Sequence, residues 1–210
     1  GRTEGDLEYV IDTNSHTAIA NRVTLEGYQF RNHTDATYTA ADGSHASAWA
    51  GRTAIGNKVE NNTLTVDGNT LGQSAHGGLV ENRTYQGGHL VTTGDATKNT
   101  LVVKGGANIS QAYGAEVRTK DGSVTDNHVA IAKGYIGNAY GGALVAGSAT
   151  GKAEKNTVTL VDGNVSGNVY GSYASGGTST VTKNTVTVSG GNVNGTIYGG
   201  FLASSTTPRD

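Results

Sequence analysis

A short unit made of an Asn, an alternating strand, a Gly turn and an aromatic–Gly pair recurs along this chain. That recurrence narrows the accessible folds more than any other feature. "NTVTLVDGNVSGNVYGSY" begins at Asn156 and "NTVTVSGGNVNGTIYGGF" begins at Asn184. Asn21, Asn62, Asn99, Asn127, Asn156 and Asn184 open the same pattern at intervals of 41, 37, 28, 29 and 28 residues. The basic unit is therefore about 28 residues, with insertions in the first two copies. A fixed period of this size marks a solenoid, because a unit so thin buries its apolar face only against its neighbours.

In every copy the second and fourth residues after the Asn are aliphatic: Val23 and Leu25, Leu64 and Val66, Leu101 and Val103, Val129 and Ile131, Val158 and Leu160, Val186 and Val188. Thr fills most positions between them, which gives the period-two pattern of a strand with one buried face. A Gly turn follows at Gly27, Gly68, Gly105, Gly134, Gly163 and Gly191. A second strand ends in an aromatic column of Trp49, His76, Tyr113, Tyr140, Tyr170 and Tyr198, each followed by small residues. A third strand precedes the next Asn and carries Ala18, Val59, Ala96, Val124, Ala153 or Val181 three residues before it. The pattern predicts an all-β chain: a single-stranded right-handed parallel β-helix of about six rungs with three strands each, in one domain over residues 1–210. At about 4.8 Å per rung the stack is roughly 30 Å long. Handedness follows from the right-handed preference of crossover connections.

Composition closes off other classes. The chain has 33 Gly, 1 Pro, no Cys and no Met among 210 residues, with a formal net charge of −2. Gly without a three-residue period excludes collagen, and regular Val, Ile and Leu runs speak against disorder. Zero Cys excludes disulfides and thiolate metal sites. Scattered Lys and Arg near neutrality leave no nucleic-acid footprint. No apolar run is long enough to predict a membrane-spanning helix. No metal site and no cofactor is expected.

The six Asn residues are expected to form a structural ladder. Asn tolerates the left-handed backbone of a sharp corner, and stacked amides bond one another along the rod. The aromatic column reads in two ways: an outward stripe that stacks on sugars or a partner surface, or rings that stack on each other and cover a corner. Two insertions, about 31–44 and 82–90, add His33, Tyr38 and Tyr85 as further candidate binding residues on loops. Acidic residues projected onto the rungs give Asp67 with Asp162 and Glu60 with Glu154, on non-adjacent rungs. Polysaccharide cleavage needs converging carboxylates, so a lyase or hydrolase on the β-helix is the alternative reading, and no catalytic residue is assigned. "GSATGK" (147–152) lacks the first Gly and the final Ser or Thr of a phosphate loop. Outward Thr at positions 63, 157 and 185 resembles an ice-binding array, but His128 and Ala130 interrupt it.

The iterated "NxVxVxGGxVxGxVYGGxA" texture, clearest from Asn127 to Ala203, resembles the passenger region of bacterial autotransporter adhesins. The resemblance implies a secreted, non-enzymatic cell-adhesion module, held at the bacterial outer membrane or released, with a role in virulence. Its implied partners are host-cell or matrix proteins, glycans, or like modules on neighbouring bacteria. "GRTEGD" at the start echoes the "GRTAIGN" after Trp49, and the chain stops shortly after Phe201, so it is expected to be a piece of a longer rod.

Overall fold

The computed structural model describes residues 17–26, 47–53, 58–81, 93–119, 121–145 and 150–203. Among them there is no helix, and every strand pairing is parallel. Both insertions, with His33, Tyr38 and Tyr85, lie outside the described residues.

Each rung contributes to three sheets. The first sheet takes the strands that follow the ladder Asn: Arg22–Glu26, Thr63–Asp67, Thr100–Val103, His128–Ile131, Thr157–Leu160 and Thr185–Val188. The second takes the long strands Ser47–Thr53, Leu71–Val80, Ala107–Val117 and Gly134–Leu144; in the last two rungs it is split into Asn164–Val165 with Val169–Ser175, and Asn192–Val193 with Ile197–Ala203. The third takes the three-residue strands Thr17–Ile19, Lys58–Glu60, Asp95–Thr97, Ser123–Thr125, Lys152–Glu154 and Thr180–Thr182. Consecutive rungs are neighbours in all three sheets, so the chain is a parallel β-helix.

The register makes columns of the repeated residues. Val23, Leu64, Leu101, Val129, Val158 and Val186 are successive Cα partners, as are Leu25, Val66, Val103, Ile131, Leu160 and Val188. The middle members are fully buried against the inner residues of the second sheet, such as Ile109, Ala112, Ala139 and Val169. A second, smaller core joins the Ala and Val column of the third sheet to Val80, Ala115, Val117, Leu144 and Ala174. Small residues suffice there because the strands approach closely.

The Asn corner is the polar counterpart of these columns. The backbone N–H and Nδ2 of each Asn both donate to Oδ1 of the next, at 2.8–3.3 Å, from Asn21 through to Asn184. The other Nδ2 hydrogen goes to a third-sheet carbonyl of the preceding rung, Ala18, Val59, Ala96, Val124 or Ala153, each at 2.9 Å. Asn62, Asn99, Asn127 and Asn156 have no exposed surface. The sequence reading of the corner needs one correction. The left-handed residue is not the Asn but the one before it: Ala20, Asn61, Lys98, Asp126, Lys155 and Lys183, with φ of 56–59°. The turn is completed there, which leaves the Asn free to aim both of its donors along the rod.

Candidate functional site

The second sheet is bent, and its outer face holds the chemistry. The bend lies at a column of close-packed glycines. A Cβ on Gly114 would sit 2.3 Å from the carbonyl oxygen of Gly141, and one on Gly141 would sit 2.4 Å from that of Gly171. Only a bare Cα allows the strands to approach so closely, which is why an aromatic–Gly pair recurs. In a straight strand residues three apart are about 10 Å away on opposite faces. Across this bend the rings of Tyr170 and Tyr173 are 5.6 Å apart, and those of Tyr198 and Phe201 are 5.0 Å apart. The outer face is therefore concave along the bend.

One wall of this concavity is the predicted aromatic column. His76, Tyr113, Tyr140, Tyr170 and Tyr198 stack ring on ring at 4.6–5.0 Å with interplanar angles of 3–9°. The ring faces look along the rod and are taken up by neighbours, so the column presents edges and hydroxyls outward rather than flat platforms. Trp49 heads it, with the Arg52 guanidinium 4.7 Å above its ring. His76 and Tyr170 are buried; the others are half-buried. Burial, followed by the carboxylate of Glu116 and the ring of Tyr140, pushes the Tyr113 hydroxyl well above its ordinary pKa. Burial, with Tyr170 and Tyr173 beside it, pushes Tyr140 up to about 12. The Tyr113 and Tyr140 hydroxyls keep their protons.

The opposite wall is a column three residues further on: Arg52, Leu79, Glu116, Ala143, Tyr173 and Phe201. Its aromatic end joins the ring column edge-on, with Tyr140 and Tyr173 6.0 Å apart. Its charged end forms a network. Arg52 Nη2 donates to Glu81 Oε2 at 2.7 Å, and Arg118 grips Glu116 through Nε and Nη2, both at 2.9 Å. Arg118 Nη1 also lies 3.6 Å from Glu81 Oε1. His76 Nδ1 faces Glu116 Oε2 at 3.4 Å, and its Nε2 lies 3.2 Å from Ser74 Oγ. Burial, then the positive charge of Arg118, lowers the His76 pKa to about 3, so the imidazole is neutral at ordinary pH.

Sequence reasoning placed the ring column but missed this second wall, including Arg52 and Glu116. The signal was present, as the third residue after each column ring. It is legible only once the bend is known to bring residues three apart onto one side. The acid columns read from sequence do not converge: Glu60 pairs with Lys58, Asp67 with Lys104, and Glu154 with Lys183. Hydrogen bonding to Lys104 and then to the Gly68 N–H lowers the Asp67 pKa. Among the described residues no group of three His, Asp or Glu is arranged to hold a metal ion, and no helix is long and apolar enough to cross a membrane.

The fold and this face define a class: a stacked parallel β-helix with a bent, aromatic-lined outer sheet. Compared with protein-family models, curated proteins and solved structures, the chain finds no match.

Proposed function

We propose that this chain is an adhesion module of an autotransporter-type passenger, displayed at the bacterial surface, and that it binds through the concave face of the second sheet. The observation that carries this reading is the paired ring columns. Tyr140, Tyr173, Tyr198 and Phe201 remain partly exposed along this one face. Rings that present edges and hydroxyls suit hydrogen bonding and edge contacts with a polar, repetitive partner such as a glycan or a matrix protein. The rigid backbone beneath them presets their spacing, which limits the entropy lost on binding.

Polysaccharide cleavage is the second reading, favoured by Glu81 and Glu116 meeting at Arg118. Both carboxylates are nearly inaccessible, at 8% and 3% exposure, and each is gripped by a guanidinium. Glycoside cleavage requires one protonated acid beside the scissile bond, and an arginine-bound carboxylate is a poor proton donor.

The test is an array of glycans and matrix proteins, together with a bead-aggregation assay for self-association. Wild type is compared with Tyr173→Ser, Phe201→Ser and a deletion of residues 31–44. Binding reduced about tenfold or more by the ring substitutions, in protein that keeps its β-sheet spectrum, supports this face. Retained binding in both ring variants, or loss only in the deletion, refutes it.

A further inference from the structure

We propose that Ser74, His76 and Glu116 form a nucleophile–base–orienter set that accepts acyl groups from small esters. This goes beyond adhesion and departs from the expectation of a chain without catalysis. Three roles must meet for such chemistry: a hydroxyl, a base within hydrogen-bond reach of it, and a group that fixes the base's tautomer. Ser74 Oγ lies 3.2 Å from His76 Nε2. His76 Nδ1 faces Glu116 Oε2 at 3.4 Å without a formed hydrogen bond; an ionised carboxylate only accepts, so its approach favours the tautomer with the proton on Nδ1, which leaves Nε2 to take one. Glu116 is in turn held through both oxygens by Arg118, and the imidazole is clamped against Tyr113 by a 4.6 Å stack. His76 is 1% exposed while Ser74 is half-buried, so the base is shielded from water and the hydroxyl is reachable from outside.

Trp49 Nε1, on the neighbouring rung, is buried without a hydrogen-bond partner among the described residues. Ser74 is flanked in register by Ser47 and Gln111, and its Oγ shares a hydrogen bond with Ser47 Oγ at 2.5 Å. The position is a sheet surface rather than a deep cavity, which suits a small acyl group of acetyl size on a larger alcohol.

In the reaction Ser74 Oγ attacks the ester carbonyl carbon as its proton passes to His76 Nε2. The tetrahedral intermediate collapses, the bond to the alkoxide breaks, and the imidazolium returns the proton to the leaving oxygen. Water then cleaves the acyl-serine by the same route, giving acid and alcohol. The groups facing His76 are Glu116, Arg118, Glu81, Arg52 and Tyr113; burial and the two cations keep the ring neutral well below its usual range. The acylation rate is therefore expected to stay level from about pH 8 down to about pH 5, where an ordinary Ser–His pair falls off near 6.5.

The test uses the whole chain with p-nitrophenyl acetate and, separately, a fluorophosphonate probe located by peptide mass mapping. A burst of about one equivalent of p-nitrophenol, a single adduct on Ser74, its loss in Ser74→Ala, and a drop of about tenfold or more in Glu116→Gln support the proposal. Ser74→Ala removes one half-buried hydroxyl, and its unfolding transition is measured beside its reactivity. An adduct only on tyrosines, no adduct in folded protein, or a rate unchanged by Ser74→Ala overturns it. A rate that falls with a midpoint near pH 6.5 refutes the assigned base.

Discussion

Replacing Asn127 with alanine removes the centre of the amide ladder. Asn127 Oδ1 accepts from the Asn99 backbone N–H at 2.9 Å and from Asn99 Nδ2 at 3.0 Å. Its Nδ2 donates to Ala96 O and to Asn156 Oδ1, both at 2.9 Å. Asn156 Oδ1 keeps the Asn127 backbone N–H in the variant, so three groups lose a partner: the Asn99 N–H, one Asn99 Nδ2 hydrogen and the Ala96 carbonyl. No part of Asn99, Asn127 or Ala96 is exposed, so water does not replace what is lost. At about 1–3 kcal/mol for each buried unsatisfied group, with neighbours relaxing partly, the loss is about 3–6 kcal/mol. That is a large share of the stability of an ordinary domain. Half-buried Asn21 makes two ladder bonds, of which the substitution removes only the one from Nδ2, so Asn21→Ala is expected to cost about 1 kcal/mol or less. Asn127→Asp separates shape from hydrogen bonding. Its carboxylate accepts from Asn99 but cannot donate to Ala96 or Asn156, and it buries a charge. It should be at least as harmful at pH 7 and partly rescued in mild acid, where the protonated form donates one bond. The assay is urea unfolding followed by β-sheet circular dichroism and tyrosine fluorescence. A central break also uncouples the rungs on either side, so the two probes should separate. If Asn127→Ala costs no more than Asn21→Ala, within about 1 kcal/mol of wild type, the ladder does not carry the stability assigned to it.

Further predictions come from other columns. His76 stays neutral in the fold down to about pH 3, while in the unfolded chain it takes a proton near 6.5. Its contribution is therefore intact above pH 6.5 and is lost as pH falls from 6.5 toward 3, by a few kcal/mol at most; urea midpoints for wild type and His76→Phe from pH 7.5 to 4 should converge on acidification. Lys155 holds φ at 57°, so Lys155→Gly should gain about 0.5–1 kcal/mol through relief of the left-handed strain, net of unfolded-state entropy; a lowered urea midpoint would contradict this. Gly114→Ala would place a methyl 2.3 Å from the Gly141 carbonyl and 2.8 Å from the His128 nitrogen, and should lose about 3 kcal/mol or more through forced separation of the rungs; unfolding at the wild-type urea midpoint would show that the bend is looser than the contacts imply.

The stacking of rungs, the aliphatic columns and the Asn corner were legible in the chain itself, because each is a one-dimensional property. A residue that recurs at the same place in every unit lands above its counterpart once the units stack, so Leu64, Leu101, Val129 and Val158 could be assigned to one column by position alone. Contacts between columns are different, since they depend on how far the backbone turns between strands. Alternation pointed the rings outward correctly but carried no information about the Gly bend, which turns their faces along the axis and brings Glu116 beneath His76. The left-handed residue was displaced by one for a related reason. Asn is the residue that best tolerates that conformation alone, yet a ladder needs its donors aimed at the next rung, and the Lys, Asp, Ala or, at position 61, second Asn before it takes the strain. Period and composition thus determined which residues share a column. The backbone path around each corner, set by close packing across all the rungs together, decided which columns meet.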